Sequence, residues 1–500
     1  MLRWLTSISA LILSAFATVS AALAENPVCP GRPILADLRT PAQTSIPAQT
    51  SIPEENPAPV PAVPTESQLK WQEAELGAIF HYDIHVFDGR RYVQADNRIS
   101  PIRDCNIFRP DSLDTDRWIL AAKEAGCRFA LLTATHETGF GLWQGDVNPF
   151  CLKALNWKDG KADIVGDFIE SCRKYGLEPG LYIGIRWNSR LGIYNFEPSG
   201  EGPAKERRKA WYRDYCERMV RELCTRYGPL FMVWFDGGAD DPQTGGPDVE
   251  PIFRKYQPDC LFYHNSQRAD LRWGGSESGT VGDPCWSAFP TPYSHTRSNE
   301  SESAHLELLA HGEPDGRYFV PAMADVPLRS GNGRHEWFWE PGDEDSILPL
   351  DRLMEIYRGS VGRNATLILG LTPDDRGLLP EPDRKRLAEF GHCIDSLYSH
   401  PDAAAAGVGS VHTLKLDKTR KTGCCIISED TAGGERIRRY RIEARTPQGW
   451  KTVCEGRSVG HKRIERFPAV RASRLRLVIA ESVGTPSVKQ FSAFYDKDYE

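Results

Sequence analysis

From Trp71 onward, short and almost wholly apolar runs alternate with longer amphipathic stretches. The runs are LGAIFH (76–81), RFALLTATH (128–136), GLYIGIRW (180–187), LFMVWFD (230–236), CLFYHN (260–265), RYFVPAM (317–323) and ATLILGL (365–371). Between and after them the spacing predicts helices over 111–126, 161–175, 204–226, 248–257, 346–358 and 382–397. A strand covered on both faces has no reason to alternate apolar with polar, so continuous apolar runs point to a parallel sheet with crossover helices. A (β/α)8-type barrel over 69–400 fits the count and size; a doubly wound open sheet is the alternative. No Gly-x-Gly-x-x-Gly turn opens the first helix, which removes the main argument for a dinucleotide site.

The texture changes near residue 403. VHTLKLD, RRYRIEART, WKTVCEG, SRLRLVIAES and VKQFSAFYD are short alternating segments separated by Gly, Pro and Ser, and they predict an antiparallel β-sandwich over 401–500. Its expected role is to brace the barrel, with carbohydrate contact as the alternative. At the other end, Arg3, the apolar stretch Leu5 to Val19 and the small residues of Ala22-Leu23-Ala24 predict a signal peptide over 1–24. The Pro/Ser/Thr-rich segment 25–68 is expected to be a disordered linker. The protein is therefore expected to be exported, to the periplasm or the extracellular space. No later apolar segment has the length a membrane span needs, so no membrane insertion is expected after cleavage.

A formal charge of -7 over 500 residues argues against nucleic acid, which asks for a basic footprint. The thirteen cysteines are scattered and match no zinc or iron–sulfur spacing. Asn364-Ala-Thr is a glycosylation sequon lying just before an apolar run.

In a barrel, chemistry gathers where strands end at their C-terminal side. His81, Tyr82, Asp83 and His85 follow the first run, and His136 and Glu137 follow the second, with Trp143 nearby. Arg186, Trp187 and Asn188 follow the third run. Asp236 ends the fourth, and His264 with Asn265 ends the fifth. The loop beyond supplies Arg272, Trp273 and Glu277. Successive polar strand ends mixed with tryptophans predict a polar cleft with flat apolar walls, a surface suited to sugars. Asp236, rigid on a strand end and followed by Gly237-Gly238, suits a nucleophile toward an acetal carbon. Glycoside hydrolysis needs a second, proton-donating carboxyl, for which Glu277 is the candidate. The alternation His81-x-Asp83-x-His85, with His136 and Asp236, leaves a metallohydrolase centre open as a competing reading.

These residues resemble the α-L-fucosidases of glycoside hydrolase family 29. ELGAIFHYD resembles the family's FGIFIHWG, LLTATHETGFGLW its LTAKHHDGFCLW, and YGPLFMVWFDGG its YGP…LWFDG. YGLEPGLYIGIRWN is similar to GLKFGLYYS-x-W, DLRWGGSESG to the IRWVGNEAG of the α-1,3/4-fucosidase-like subgroup, and SVGRNATLILGLTPDDRG to SVGRGGNLLLNVGPDRDG. SVGHKRIERF is similar to the family's GYKRI segment in the C-terminal sandwich. The resemblance implies an exo-acting retaining hydrolase that releases terminal α-L-fucose from oligosaccharides or glycoconjugates, without metal or organic cofactor. It implies Asp236 as nucleophile and Glu277 as acid/base. His81, His136, Glu137, Trp187, Trp234, Arg272 and Trp337 would contact the sugar, with Trp339 in the same site-walling loop. The chain departs from the pattern at Glu137, where a histidine is usual, at Tyr82 for Trp and Asp83 for Gly. It departs also at Met323, for a common Glu. The departures leave open a galactosidase-like specificity or a non-catalytic carbohydrate-binding relative.

Overall fold

The computed structural model describes residues 60–292, 302–333, 336–417 and 420–494. The expected signal peptide and most of the expected linker lie outside these residues. The linker's last residues do not: Thr65 caps helix α1 (Glu66–Ala74) in a reciprocal capping box with Gln68, so helix begins inside the expected linker.

Eight strands form one parallel sheet: β1 (Leu76–Phe80), β2 (Phe129–Thr135), β3 (Glu178–Ile183), β4 (Met232–Trp234), β5 (Leu261–Tyr263), β6 (Arg272–Trp273), β7 (Ala322–Pro327) and β8 (Thr366–Leu371). Each pairs with the next in chain order except β5 with β6, and β1 pairs with β8. The remaining gap is bridged where Asp270 N–H donates to Phe262 O at 3.0 Å and Phe262 N–H to the Asp270 carboxylate at 2.8 Å. The sheet is thus a (β/α)8-type barrel, as the apolar runs predicted.

Helices α2 (Thr115–Glu124), α3 (Ile164–Tyr175), α4 (Gly202–Arg226), α5 (Glu250–Tyr256), α6 (Glu302–His311), α7 (Leu350–Gly359) and α8 (Glu381–Tyr398) follow every strand but β5. Local chemistry sets their ends. Asp114 and Asp163 accept N-terminal N–H groups of α2 and α3, and Gly176, at φ 78°, closes α3 in the left-handed conformation.

Two expectations are corrected. Arg272–Trp273, placed in a loop, is the sixth strand, too short to show a periodicity. The seventh strand starts at Ala322, because Tyr318–Phe319 of the apolar run 317–323 pairs outside the barrel with Ala288–Phe289.

The barrel interior is a packed column. Trp71, fully buried on α1, plugs the N-terminal end, its ring 4.9 Å from that of Phe129. Above it lie Leu131, Met232, Leu261, Met323 and Ile368, then Ile79, Tyr182 and Trp234. Gly77 keeps the column close, since a Cβ there would sit 2.2 Å from the Phe129 ring.

The C-terminal strands are β9 (Ala403–Val408), β10 (Val411–Lys415), β11 (Lys421–Glu429), β12 (Ile437–Thr446), β13 (Gly449–Gly456), β14 (Arg463–Arg471), β15 (Arg474–Ser482) and β16 (Ser487–Phe494). They form two four-stranded antiparallel sheets, ordered β9-β16-β11-β14 and β10-β15-β12-β13, around their own apolar core. This sandwich is tied to the barrel by a bidentate Arg463–Asp283 pair and by Lys462–Glu75. Asn364 bridges the same seam: its Nδ2 donates to Glu435 at 2.6 Å and its Oδ1 accepts from His461 N–H at 2.9 Å. At 2 % exposure, its amide is spent inside the folded protein rather than offered to a glycan. Nine of the twelve cysteines among the described residues are buried. Among those residues no helix is long and apolar enough to cross a membrane.

Trp71→Ala removes the plug and leaves a cavity under the column, at a cost of about 3–5 kcal/mol. A clearly lower denaturant midpoint is the expected result, and an unchanged midpoint would mean that α1 is dispensable to the barrel.

Candidate active site

The answer to why an apolar strand ends in a carboxylate lies in the turn that follows it. Phe235 N–H donates to Tyr263 O and Ala239 N–H to His264 O, which holds the chain on both sides of Asp236. Gly237 (φ 65°) and Gly238 (φ 88°) carry the reversal. A Cβ on Gly237 would meet Arg186 Cδ at 2.7 Å and the Trp187 ring at 3.1 Å. The glycines therefore let the backbone turn under two side chains while Asp236 faces inward.

It faces a hollow lined by Ile79, His81, Tyr92, Gln94, His136, Tyr182, Trp234, Asp236, Glu277, Asp325 and Trp337. Asp236 and Glu277 thus share one space. Trp337 Nε1 donates to Glu277 Oε2 at 3.2 Å, and its ring lies 4.8 Å from that of His81. The His136 ring stacks on Tyr182 at 5.2 Å.

The electrostatics follow from burial. His81 is pushed down to about 3 by loss of solvent, against a backbone hydrogen bond that favours its charged form and with a smaller push from His85. His136 is driven well below the usual imidazole value, again by burial first, then by His81, His85 and Arg98. Both imidazoles are therefore neutral at ordinary pH, each offering one donor and one acceptor nitrogen to hydroxyls. Burial raises the Asp236 carboxyl; Arg98 pulls it down and Glu277 pushes it up. The net shift is upward, and Arg98, a cation from a neighbouring loop, is the largest influence opposing it.

Several expected contacts stand elsewhere. Arg272 is fully buried beneath the site and donates to Leu309 O, Val320 O and Cys285 Sγ, so it is a strut between segments and not a sugar ligand. Glu137 lies behind the wall. Its Oε1 takes Arg98 Nε at 2.6 Å and its Oε2 takes the Tyr92 hydroxyl at 3.1 Å, so the departure at this position anchors the loop that carries Tyr92 and Gln94. Trp187 is outside the lining, stacked beneath Arg98 at 3.6 Å. Tyr82 packs with Phe87, Phe108 and Trp118, and Trp143 is likewise in the core. Asn188 caps a turn at Leu191 N–H, and Asn265 accepts from Gln267 and Arg268 N–H. Arg186 donates to Gly237 O. Trp339 lies in a separate surface cleft with Arg91 and Glu340.

The metal-ligand reading of His81, Asp83 and His85 fails on geometry. β1 ends at Phe80, and Asp83 is spent capping Ile84 N–H at 2.8 Å and accepting the Thr138 hydroxyl at 2.8 Å. His85 packs against Phe338 and Tyr92. No group of three His, Cys, Asp or Glu among the described residues has metal-holding geometry.

The hollow also contains residues that strand-end reasoning passed over. Asp325 was detectable, because AMADVP places one carboxylate in an apolar run just as LFMVWFD does. Tyr182 was hidden inside a strand. Tyr92 and Gln94, and Arg98 behind the wall, come from the segment after β1, where no periodicity marks them.

A hollow walled by aromatic faces and neutral imidazoles, with carboxyls facing into it, meets the needs of acetal cleavage, and the barrel with its sandwich stands among the glycoside hydrolases. Within that class the α-L-fucosidase family matches residues 61–396, more than half the chain. The chain belongs to this family, family 29, whose reaction is the hydrolytic release of α-L-fucose. A crystal structure from Bacteroides thetaiotaomicron VPI-5482, provisionally described as an α-L-fucosidase, is 63% identical with a TM-score of 0.86, covering 87% of this chain and 100% of that one. Alpha-L-fucosidase 1 of Arabidopsis thaliana is 28% identical over 487 residues, 88% of this chain and 89% of its own. A Ruminococcus gnavus family 29 fucosidase in complex with fucose shares the fold at 21% identity and a TM-score of 0.71, over 89% of this chain and 98% of that one.

Glu137 is raised to about 7 from an ordinary 4.5, by burial first and against the pull of Arg98. The folded state therefore binds this proton more tightly than the unfolded chain, and Glu137 subtracts stability as pH rises through that interval. Glu137→Gln removes the slope. Its unfolding midpoint should improve relative to wild type between about pH 4.5 and 7. A constant offset would show that Glu137 is already ionised throughout.

Proposed function

We propose that Asp236 is the nucleophile and Glu277 the acid/base of a retaining, double-displacement release of terminal α-L-fucose from fucosylated oligosaccharides or glycoconjugates. The observation that carries this reading is that both carboxyls line a single hollow at the C-terminal mouth of the barrel. In the first step an Asp236 oxygen bonds to the anomeric carbon as the bond to the leaving oxygen breaks. The Glu277 proton moves to that oxygen. In the second step Glu277, now a carboxylate, takes a proton from water; the water oxygen bonds to the same carbon and frees Asp236.

The surroundings support each role. Arg98 and Arg186 favour the ionised Asp236 that attack requires. Trp337 donates to one Glu277 oxygen and fixes its place in the hollow. His81 and His136, neutral and in the wall, suit hydroxyl contacts, and Trp234 and Trp337 offer ring faces. The enclosed hollow suits one terminal sugar, hence exo action. The proton and electron movements close on two carboxyls and water, with no cofactor in any step. The N-terminal segment supports export, which places the substrate outside the cytoplasm.

Asp236→Ala should lower turnover of an aryl α-L-fucoside by at least about 10³-fold while the chain stays folded. Glu277→Ala should cost about 10²–10⁴-fold on natural linkages and much less on activated aryl leaving groups, with partial rescue by azide. NMR of the first-released anomer should show retention. Near wild-type hydrolysis of natural linkages by Glu277→Ala would remove the acid/base assignment. A loss of activity on chelation, restored by a divalent ion, would favour the metallohydrolase instead.

A further inference from the structure

Asp325 is a third carboxyl in the hollow. It stands on β7, 3 % exposed, opposite Ile368 of β8. Trp273, on the neighbouring β6, donates its indole N–H to Asp325 Oδ1 at 2.7 Å. The backbone of the same residue accepts Gly279 N–H at 2.9 Å, which ties the segment bearing Glu277 to this strand. Asp325 itself lines the space shared with Asp236 and Glu277.

Three carboxyls in one hollow cannot all be ionised without strong mutual repulsion, and among the described residues no lysine or arginine lines it to offset them. The two nearby cations favour ionised Asp236. Asp325 has no such help. Burial first, then Glu277, and more weakly Asp236, push its carboxyl well above the carboxylate range, and the Trp273 bond opposes them only in part. A neutral carboxylic acid differs from a carboxylate in having an O–H to give.

We propose that Asp325 binds the sugar as a neutral acid, its Oδ2–H donating to a hydroxyl oxygen of the fucosyl ring while Trp273 fixes Oδ1. This rests on the reading of the hollow as the fucosyl pocket. It makes Asp325 a substrate-binding group and gives the pocket a donor that adds no third negative charge beside the nucleophile and the acid/base. The carboxyl undergoes no bond change in either step.

The test is an isostere comparison on the full chain. Asparagine keeps an acceptor for Trp273 and an N–H₂ donor where the neutral acid has its O–H, but it can never ionise. Asp325→Asn should retain kcat/KM on an aryl α-L-fucoside within about 5-fold of wild type. Asp325→Ala should lose about 10- to 100-fold, with inhibition by free fucose weakened by a similar factor. Trp273→Phe should cost several-fold when Asp325 is present and add nothing to Asp325→Ala, and the asparagine comparison decides the question by itself if the alanine variant folds poorly. An asparagine variant as inactive as Asp236→Ala would show that Asp325 works ionised and overturn the proposal, as would an alanine variant with unchanged fucose inhibition. Failure of the nucleophile assignment would show separately, as turnover retained by Asp236→Ala.

Discussion

The packed column inside the barrel is the constraint on which the rest depends. Trp71 closes its base, and Ile79, Tyr182 and Trp234 form its top. Those three top residues are also lining residues of the hollow. The apolar core and the floor of the pocket are therefore one surface, so the depth of the pocket is set by how well the column packs from below. Close packing tolerates little volume change, and the site inherits that rigidity. The short β4, with only three residues in the ladder, is firm enough to aim Asp236 because its side chains are locked in the column.

Above that floor the structure solves an electrostatic conflict. Sugar chemistry asks for carboxyls in a dry space, and dryness penalises their charge. The cation that relieves Asp236 does not enter the hollow. Arg98 acts from behind the wall, clamped by Glu137 and stacked on Trp187, where it contributes its field without occupying sugar space. The glutamate at this position thus exchanges a direct sugar contact for control of the loop after β1. The imidazoles follow the same rule by staying neutral.

The sandwich contributes through the seam with the barrel and not through the hollow, since among the described residues none beyond β8 lines it. Buried polar groups at that seam, Asn364 and Glu435 above all, are matched to partners from both layers. Such a seam is costly to open because each group would lose its partner.

Much of this was legible in the chain. Long two-sided burial makes strands read as unbroken apolar runs, so seven of the eight were visible, along with the alternation that closes them into a barrel. The missing one, Arg272–Trp273, is two residues long, and no periodicity exists at that length. Asp236, His81 and His136 were legible because each follows or ends an apolar run whose direction the pattern sets, whereas Glu277 lay in the loop beyond and Trp234 and Trp337 came from the family resemblance. Arg272, Glu137 and Trp187 were misplaced for a common reason: local sequence puts a residue near a strand end but does not say into which layer its side chain turns. The sequence by itself determined the architecture and the carriers of charge. Only the tertiary structure decided which carboxyls share a cavity, which arginine faces the nucleophile and which is a buried strut, because those relations join segments tens to hundreds of residues apart and depend on packing across them.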